Sequence, residues 1–256
     1  FGKILDGMAR GSHGAIQVTN NYRREGFHKP RPAAPGRQDL PRNVTCSICQ
    51  REYGVYAIGL FCPDCGGPNL LVHLAREADL IEADLRSVLE LQGAGETEHA
   101  SRRMGNAHQN AATVAETYPK AVYRLIVQRR LPEPEATAKL KSLKNEFQNL
   151  DNGRARFAPF SIDPYSCLDA EEQAFFGLMM AKRHVVTHNL GIVDDRFAQR
   201  TKEGAPGRTI ALDQKDIRRF FQTVGKVGRH CEMTLPEFRP SVIPAKDAPE
   251  QEPEPG

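Results

Sequence analysis

Two stretches of this 256-residue sequence carry residue types that could do chemistry, and the first is a set of four cysteines. Cys46 and Cys49 form one CxxC pair, and Cys62 and Cys65 form a second pair after a spacer of twelve residues. Two such pairs supply four thiolates, which is the number of ligands that a closed tetrahedral zinc site needs. The spacing therefore predicts one structural zinc ion per chain, bound by these four cysteines.

The spacer between the two pairs can supply the strands of a small β unit, because residues 51–61 are rich in Tyr, Val, Ile and Phe. Residues 44–68 resemble a zinc ribbon. The same cysteines could instead hold iron in a rubredoxin-like site, act as a redox pair or form disulfides. A closed four-cysteine site leaves no open position on the metal, so it would brace the fold or bind nucleic acid rather than catalyse. Because the thiolates must stay reduced, we expect a cytoplasmic protein.

The second stretch, AKRHVVTHNLGIVDDRF at residues 181–197, places Arg183, His184 and His188 at the end of a predicted helix. One interpretation is a metal site, since His184 and His188 are four residues apart and share a helix face. However, no Glu follows His184 in an H-E-x-x-H pattern, and only Asp194 or Asp195 offers a further ligand. A second interpretation is a solvated helix end, where basic residues are stabilised by about 0.3–1 kcal/mol against the helix dipole.

A third interpretation is a catalytic pair. Arg183 continues the apolar stripe of Phe176 and Met179, and a guanidinium there is desolvated unless it meets a partner or a cleft. Side chains five residues apart on a helix point about 140° away from one another, at about 100° per residue. Arg183 and His188 therefore converge only if the helix ends between them, or they line a cleft that a second subunit completes.

RHVVTH followed by NLGIVDDRF resembles the R-x4–6-H signature of HEPN domains (higher eukaryote and prokaryote nucleotide-binding domains). The resemblance implies an all-α helical bundle over residues 70–232 that acts as a homodimer, with the two motifs facing each other. It also implies a metal-independent endoribonuclease, in which His188 transfers a proton at the 2′-hydroxyl of RNA. Arg183 would then hold the phosphate, and His184 would orient the motif or assist proton transfer.

The same resemblance implies a toxin or defence nuclease that acts when released from an antitoxin or another regulatory partner, which the sequence does not name. The chemistry suits the residues, because a histidine exchanges protons near neutral pH and a planar guanidinium matches phosphate oxygens. The alternative is a non-catalytic scaffold, in which the ribbon and the bundle bind nucleic acid or a protein. Some HEPN domains are of that kind.

Helical periodicity dominates the elements that must position these residues. Apolar residues recur from Leu71 to Val88 at spacings of three and four, which predicts an amphipathic helix that ends near Gly93. Residues 98–117 predict a more polar helix that Pro119 interrupts. A further helix is expected from residue 136 to residue 150, closed by Asp-Asn-Gly at 151–153, with a loop at 154–168.

Two capping residues mark the remaining helices. Asp169 or Ser166 can cap the helix that carries Arg183, and that helix should stop near residues 189–191, where Asn or Gly can adopt a left-handed conformation. Asp213 can cap a last helix. The predicted fold class is therefore mainly α, with a HEPN-like bundle preceded by a small β zinc ribbon.

The two ends of the chain differ in composition from this middle. Residues 1–43 form a predicted basic arm and linker. Residues 1–45 hold eight Lys or Arg and three Asp or Glu, so this segment has a net charge of +5. Because the whole chain has a net charge of +3, residues 46–256 carry a net charge of −2. Such an arm fits contact with a polyanion or a flexible solvated segment. Residues 236–256, rich in Pro and Glu, predict a disordered tail. No run of about 18 apolar residues occurs, so no contact with a membrane is expected.

Overall fold

The structure is a computed structural model, and it describes residues 42–55 and 59–238. Most of the predicted basic arm and the tail beyond residue 238 lie outside the described residues. The described part is mainly α, with a two-stranded sheet before seven α-helices, which confirms a mainly α fold preceded by a small β unit. None of its helices is long and apolar enough to cross a membrane.

The two strands flank the first cysteine pair. β1 (Arg42–Thr45) runs antiparallel to β2 (Glu52–Val55), with Val44 opposite Tyr53. The first CxxC turn connects the strands, and the second follows at residues 62–65, closed by an isolated bridge between Phe61 and Pro68. A small β unit is therefore present. Its strands were predicted in the spacer between the two cysteine pairs, but only β2 lies there, and β1 precedes Cys46.

Two long helices form the centre of the bundle. α1 (Leu70–Gly93) and α2 (Thr97–Arg130) are joined by only three residues, which makes them antiparallel neighbours. The interruption predicted at Pro119 is wrong, because α2 continues through this proline. A proline costs a helix interior about 3 kcal/mol. Burying each large apolar side chain stabilises by about 1.5–3 kcal/mol, and Tyr118 and Val122 are buried on either side of Pro119.

The segment after α2 is broken into shorter pieces. α3 (Glu133–Lys141) leads to a 3-10 turn (Glu146–Gln148), and α4 (Leu150–Phe157) is followed by another 3-10 turn (Ala158–Phe160). Residues 151–153 thus begin a helix rather than close one, and 154–157 are not a loop.

The start of α4 has a local cause. The Asn149 side chain accepts hydrogen bonds from the amides of Asp151 and Asn152, which satisfies the free N–H groups of the first turn. Gly153 does not end a helix. A glycine is needed at this position because Tyr165 packs directly against it. A Cβ atom at this position would lie 2.8 Å from the Tyr165 hydroxyl oxygen.

Three helices complete the bundle: α5 (Ala170–His188), α6 (Asp195–Thr201) and α7 (Gln214–Thr234). The predicted cap of α5 is confirmed, because Asp169 and Glu172 form a reciprocal capping box. α5 ends as predicted, with Leu190 and Gly191 at positive φ. Asp213 accepts a hydrogen bond from the Lys215 amide and caps α7.

The core has two parts. The larger part unites α1, α2, α4, α5 and α7 and includes Tyr123, Phe157 and Phe220. The smaller part packs the second half of α5 against α6 and the loop before α7, through Ala181, Val185, Val193, Phe197 and Ile210. Residues 236–238, predicted as tail, form a 3-10 turn in which Phe238 is buried.

Candidate functional site

The four cysteines meet in a geometry that suits a metal ion. Their sulfur atoms all lie within 4.8 Å of one another, and the Cys46–Cys65 and Cys49–Cys62 sulfur pairs are 3.6 and 3.7 Å apart. A tetrahedron of sulfurs around zinc, at about 2.3 Å from the metal, has edges of about 3.8 Å. The cluster is therefore positioned to bind one metal ion.

Backbone amides support the thiolate form of this cluster. The amides of Ile48 and Cys49 donate to the Cys46 sulfur, and the amide of Asp64 donates to the Cys62 sulfur. Burial raises the pKa of the Cys62 thiol to about 12. At Cys46 the amide hydrogen bonds outweigh burial and lower the pKa to about 6. Four adjacent thiolates thus need a cation, since burial and mutual repulsion oppose their charge.

The second cysteine turn is attached to the bundle. Leu60 belongs to the larger core, and the Phe61 ring stacks on that of Phe238 with centroids 5.7 Å apart. The Arg129 guanidinium lies 5.0 Å from the centre of the Phe61 ring. The Gly59 amide donates to His73 Nε2 on α1 at 3.2 Å. The cluster therefore braces the start of α1.

The second candidate site lies on the last turns of α5. The helix continues to His188, so it does not end between Arg183 and His188, and these two side chains diverge as the helix geometry predicts. The rings of His184 and His188 are both exposed, and their centroids are 4.7 Å apart. Arg183 and His184 line an open groove of about 960 Å³, whereas His188 is not among its lining residues.

Arg183 has a carboxylate partner on α2. Its guanidinium is 3.5 Å from Glu116, whose side chain also accepts a hydrogen bond from Gln148 Nε2 at 3.0 Å. Both charged side chains are largely buried, at 23% and 14% exposure. Arg183 thus meets the partner that its position on the apolar stripe required.

The neighbouring Lys182 is explained differently. Its side chain is only 5% exposed, and its ammonium lies 2.9 Å from Glu203 and 4.0 Å from Asp216. Interaction with the helix dipole does not account for a buried and paired lysine. Instead, Lys182 joins α5 to the loop before α7 and to α7 itself.

His108 on α2 supports the turn of α5 that carries Arg183. It is fully buried, and its Nε2 lies 3.1 Å from the Met179 carbonyl oxygen. A carbonyl only accepts, so Nε2 carries the proton. In an α-helix the same carbonyl accepts the amide of Arg183. α2 therefore contacts this turn twice, through His108 at its backbone and through Glu116 at its guanidinium.

The groove beside α5 is rich in arginine. Five arginines line it against three carboxylates, Asp151, Glu171 and Asp194. Asp194 caps α6 through the Phe197 amide and accepts from Asn189 Nδ2, and these bonds, together with nearby His184 and Arg196, lower the pKa of its carboxyl. The five arginines come from four separate helices: Arg154 from α4, Arg183 from α5, Arg196 and Arg200 from α6, and Arg219 from α7.

The metal interpretation of His184 and His188 gains no support. Among residues 42–55 and 59–238, the four cysteines are the only group of three or more candidate ligands that lie close enough to share an ion. Sequence reasoning missed Glu116, His108 and the α6 arginines. The i, i+4 spacing of Arg196 and Arg200 behind the capping Asp194 could have identified the last two, but no local signal marks Glu116 or His108.

No family model matches the chain, and no curated protein and no solved structure matches it significantly. The resemblance to HEPN domains therefore rests on the sequence motif at residues 183–197.

Proposed function

We propose that this protein is a metal-independent endoribonuclease of the HEPN type. The observation that supports it best is the exposed pair of histidine rings, 4.7 Å apart, at the edge of an arginine-lined groove. Two adjacent imidazoles can pass a proton to each other or to a substrate. The arginines can hold a polyanion while that exchange takes place.

The reaction is an internal transfer at phosphorus. His188 removes the proton of a ribose 2′-hydroxyl, and the 2′-oxygen forms a bond to the adjacent phosphorus. The bond from phosphorus to the 5′-oxygen breaks, and that oxygen takes up a proton from an imidazolium. The products are a 2′,3′-cyclic phosphate and a 5′-hydroxyl. His184 orients His188 or supplies the second proton transfer, because its ring is the nearest imidazole.

Arg183 is the proposed phosphate ligand, and Glu116 holds it ready. A guanidinium has five donors, so it can keep the Glu116 contact and still donate to a phosphate oxygen. Because Arg183 and His188 point in different directions, one protomer does not present both to a single phosphate. A two-fold homodimer with facing α5 ends would bring the Arg183 of one protomer to the His188 of the other.

A second candidate function is supported by the same ion pair. Glu116 offsets the charge of Arg183, and a neutralised guanidinium binds phosphate less strongly than a free one. In this alternative, the four-cysteine unit and the bundle form a non-catalytic scaffold for nucleic acid or a protein. The four cysteines bind zinc in either case, as a structural ion that does not take part in the reaction.

One assay separates the two functions. The purified full-length chain is incubated with assorted RNAs in EDTA, and the ends of the products are identified. Arg183→Ala and His188→Ala should each abolish cleavage, since a lost proton-transfer group or charge-stabilising donor costs about 10²–10⁴ in rate. Substituting 2′-O-methyl at the cut site should also stop the reaction.

Matched controls are available on the described surface. His99→Ala and Arg102→Ala remove an exposed histidine and an exposed arginine that do not line the groove, so both should cleave like the wild type. The enzyme proposal would be refuted if the wild type left every RNA intact and Arg183→Ala bound RNA or a protein partner as tightly as the wild type. The scaffold proposal would then remain. Cleavage that requires an added divalent metal would refute the proposed chemistry.

A further inference from the structure

The groove beside α5 is long enough to hold more than the reacting phosphate. Its lining runs along α5 from Glu171 to Val185, which is about 21 Å of helix at about 1.5 Å per residue. Residues 148–154, α6 and the start of α7 supply the remaining lining residues. His184 lies at one end of this length, and Arg219, which pairs with Glu171, lies near the other.

Two of the groove arginines are available for a ligand. Arg154 pairs with Asp151 and Asp163, Arg183 pairs with Glu116, and Arg219 pairs with Glu171. By contrast, Arg196 and Arg200 are exposed, and no hydrogen bond or ion pair within the described residues engages them. They are four residues apart on α6, so both project from one face of that helix.

Small residues line the part of the groove that α5 forms. Ala174, Gly177 and Ala181 follow one another along α5 at spacings of three and four, and all line the groove. Gly177 is exposed, and a Cβ atom added to it would have nothing within 4 Å. A glycine weakens a helix interior, so its presence here keeps the floor open at some cost to the helix.

The far end of the groove offers a flat cation. The Arg219 guanidinium lies 4.3 Å from the centre of the Phe175 ring, and the arginine side chain remains 45% exposed. Phe175 and Glu171 together hold the guanidinium in place. A guanidinium plane of this kind stacks on unpaired bases, and base stacking tolerates any base because each has a π face.

We propose that this groove is the binding track for one unpaired RNA strand. Arg196 and Arg200 contact its phosphates, and Arg219 stacks on a base several nucleotides from the bond that Arg183 and the partner subunit's His188 act on. The choice of RNA rests on the proposed function, while the single-strand geometry rests on the groove. A paired duplex conceals its base faces, so it cannot use the Arg219 platform.

The experiment measures binding without cleavage. A fluorescent 2′-O-methyl RNA strand, which lacks the nucleophile, is titrated with the full chain as a single strand and as an annealed duplex. Gly177→Glu and Gly177→Lys place side chains of opposite charge at the same unhindered position. We expect Gly177→Glu to weaken single-strand binding by about tenfold or more, and Gly177→Lys to retain it.

Two further variants test the individual contacts. Arg196→Ala with Arg200→Ala should make the dependence of log affinity on log salt shallower by about 0.7 per lost phosphate contact. Arg219→Lys keeps the charge but loses the plane, so it should weaken binding of a normal strand by about fivefold or more. A strand with an abasic site in place of the base that stacks on Arg219 should bind Arg219→Lys and the wild type with equal affinity. Arg102→Ala should bind like the wild type.

The outcomes are distinct from those of the cleavage assay. Equal binding by Gly177→Glu and Gly177→Lys, or a duplex bound as tightly as the single strand, would overturn the inference even if RNA is cleaved. If RNA is never cleaved but the single strand binds with these variant effects, the catalytic proposal fails and the binding track stands. Loss of folding in the glycine variants is checked by circular dichroism, and the Arg219→Lys and abasic-strand comparison then decides.

Discussion

Acid should destabilise this protein through His108, and the loss of stability should begin at about pH 6.5, above the range in which ordinary carboxylates titrate. The His108 side chain is fully buried on α2, and burial lowers its pKa to about 4. The positive charges of Lys182 and Arg183 act in the same direction, and the Met179 carbonyl only partly opposes them. Protonation would add an N–H at Nδ1, which has no hydrogen-bond partner within the described residues.

The size and sign of the effect follow from linkage. The unfolded chain has an ordinary histidine pKa of about 6.5, so between about pH 6.5 and pH 4 it binds more protons at this site than the folded chain does. Stability from the neutral His108 is therefore present above about pH 6.5 and is lost as the pH falls toward 4. Between pH 7 and pH 5 the free energy of unfolding should fall by about 2 kcal/mol from this residue alone.

Denaturant unfolding at pH 7 and at pH 5 measures this loss. His108→Leu removes the titrating group, so it should be less stable than the wild type at pH 7 but should lose about 2 kcal/mol less on acidification. His99→Ala, which removes an exposed histidine, should keep the wild-type dependence. An equal loss in His108→Leu and in the wild type would refute the reasoning. Should His108→Leu not fold, an NMR titration of the wild type that gives His108 a pKa near 6.5 would refute it equally.

Three further predictions concern the metal, a buried ion pair and a helix cap. The purified chain should carry one zinc per protomer by elemental analysis, and Cys62→Ser should lower both the metal content and the melting temperature of the bundle, since Leu60 belongs to the larger core. Lys182→Met should change the free energy of unfolding by less than about 1 kcal/mol, because its acidic partners are about 40% exposed and can be hydrated once the lysine is gone. Glu203→Ala should lower the free energy of unfolding by about 1–3 kcal/mol, because it leaves the buried Lys182 ammonium without its nearest carboxylate. Denaturant unfolding curves of the two variants measure both changes. Asp169→Ala should cost about 1 kcal/mol in the same measurement, by removing the cap of α5.

The features that the sequence predicted correctly depend on residues close together in the chain. The four-cysteine cluster follows from two short spacings, since each CxxC turn holds its own pair of sulfurs. Asp169 and Asp213 mark helix starts because a cap bonds to amides two or three residues away. The amphipathic stripe from Leu71 to Val88 was sufficient to place α1, because burial of one face decides such a helix.

The predictions from sequence were wrong where contacts between distant residues decide the local structure. The local cost of Pro119 favours a break, but packing of both halves of α2 against α1, α5 and α7 outweighs it. Asp-Asn-Gly at residues 151–153 has the composition of a helix end. It begins α4 instead, because Asn149 caps that helix and Tyr165 occupies the space beside Gly153.

The candidate site divides in the same way. The motif itself, with Arg183, His184 and His188 on one helix end, is a property of the sequence, and the divergence of the first and last follows from helix geometry alone. Only the tertiary structure pairs Arg183 with Glu116, 67 positions earlier in the chain, and sets His108 under the same turn. Those contacts exist because α2 and α5 pack side by side, and no local pattern in either helix encodes which residue of one meets which residue of the other.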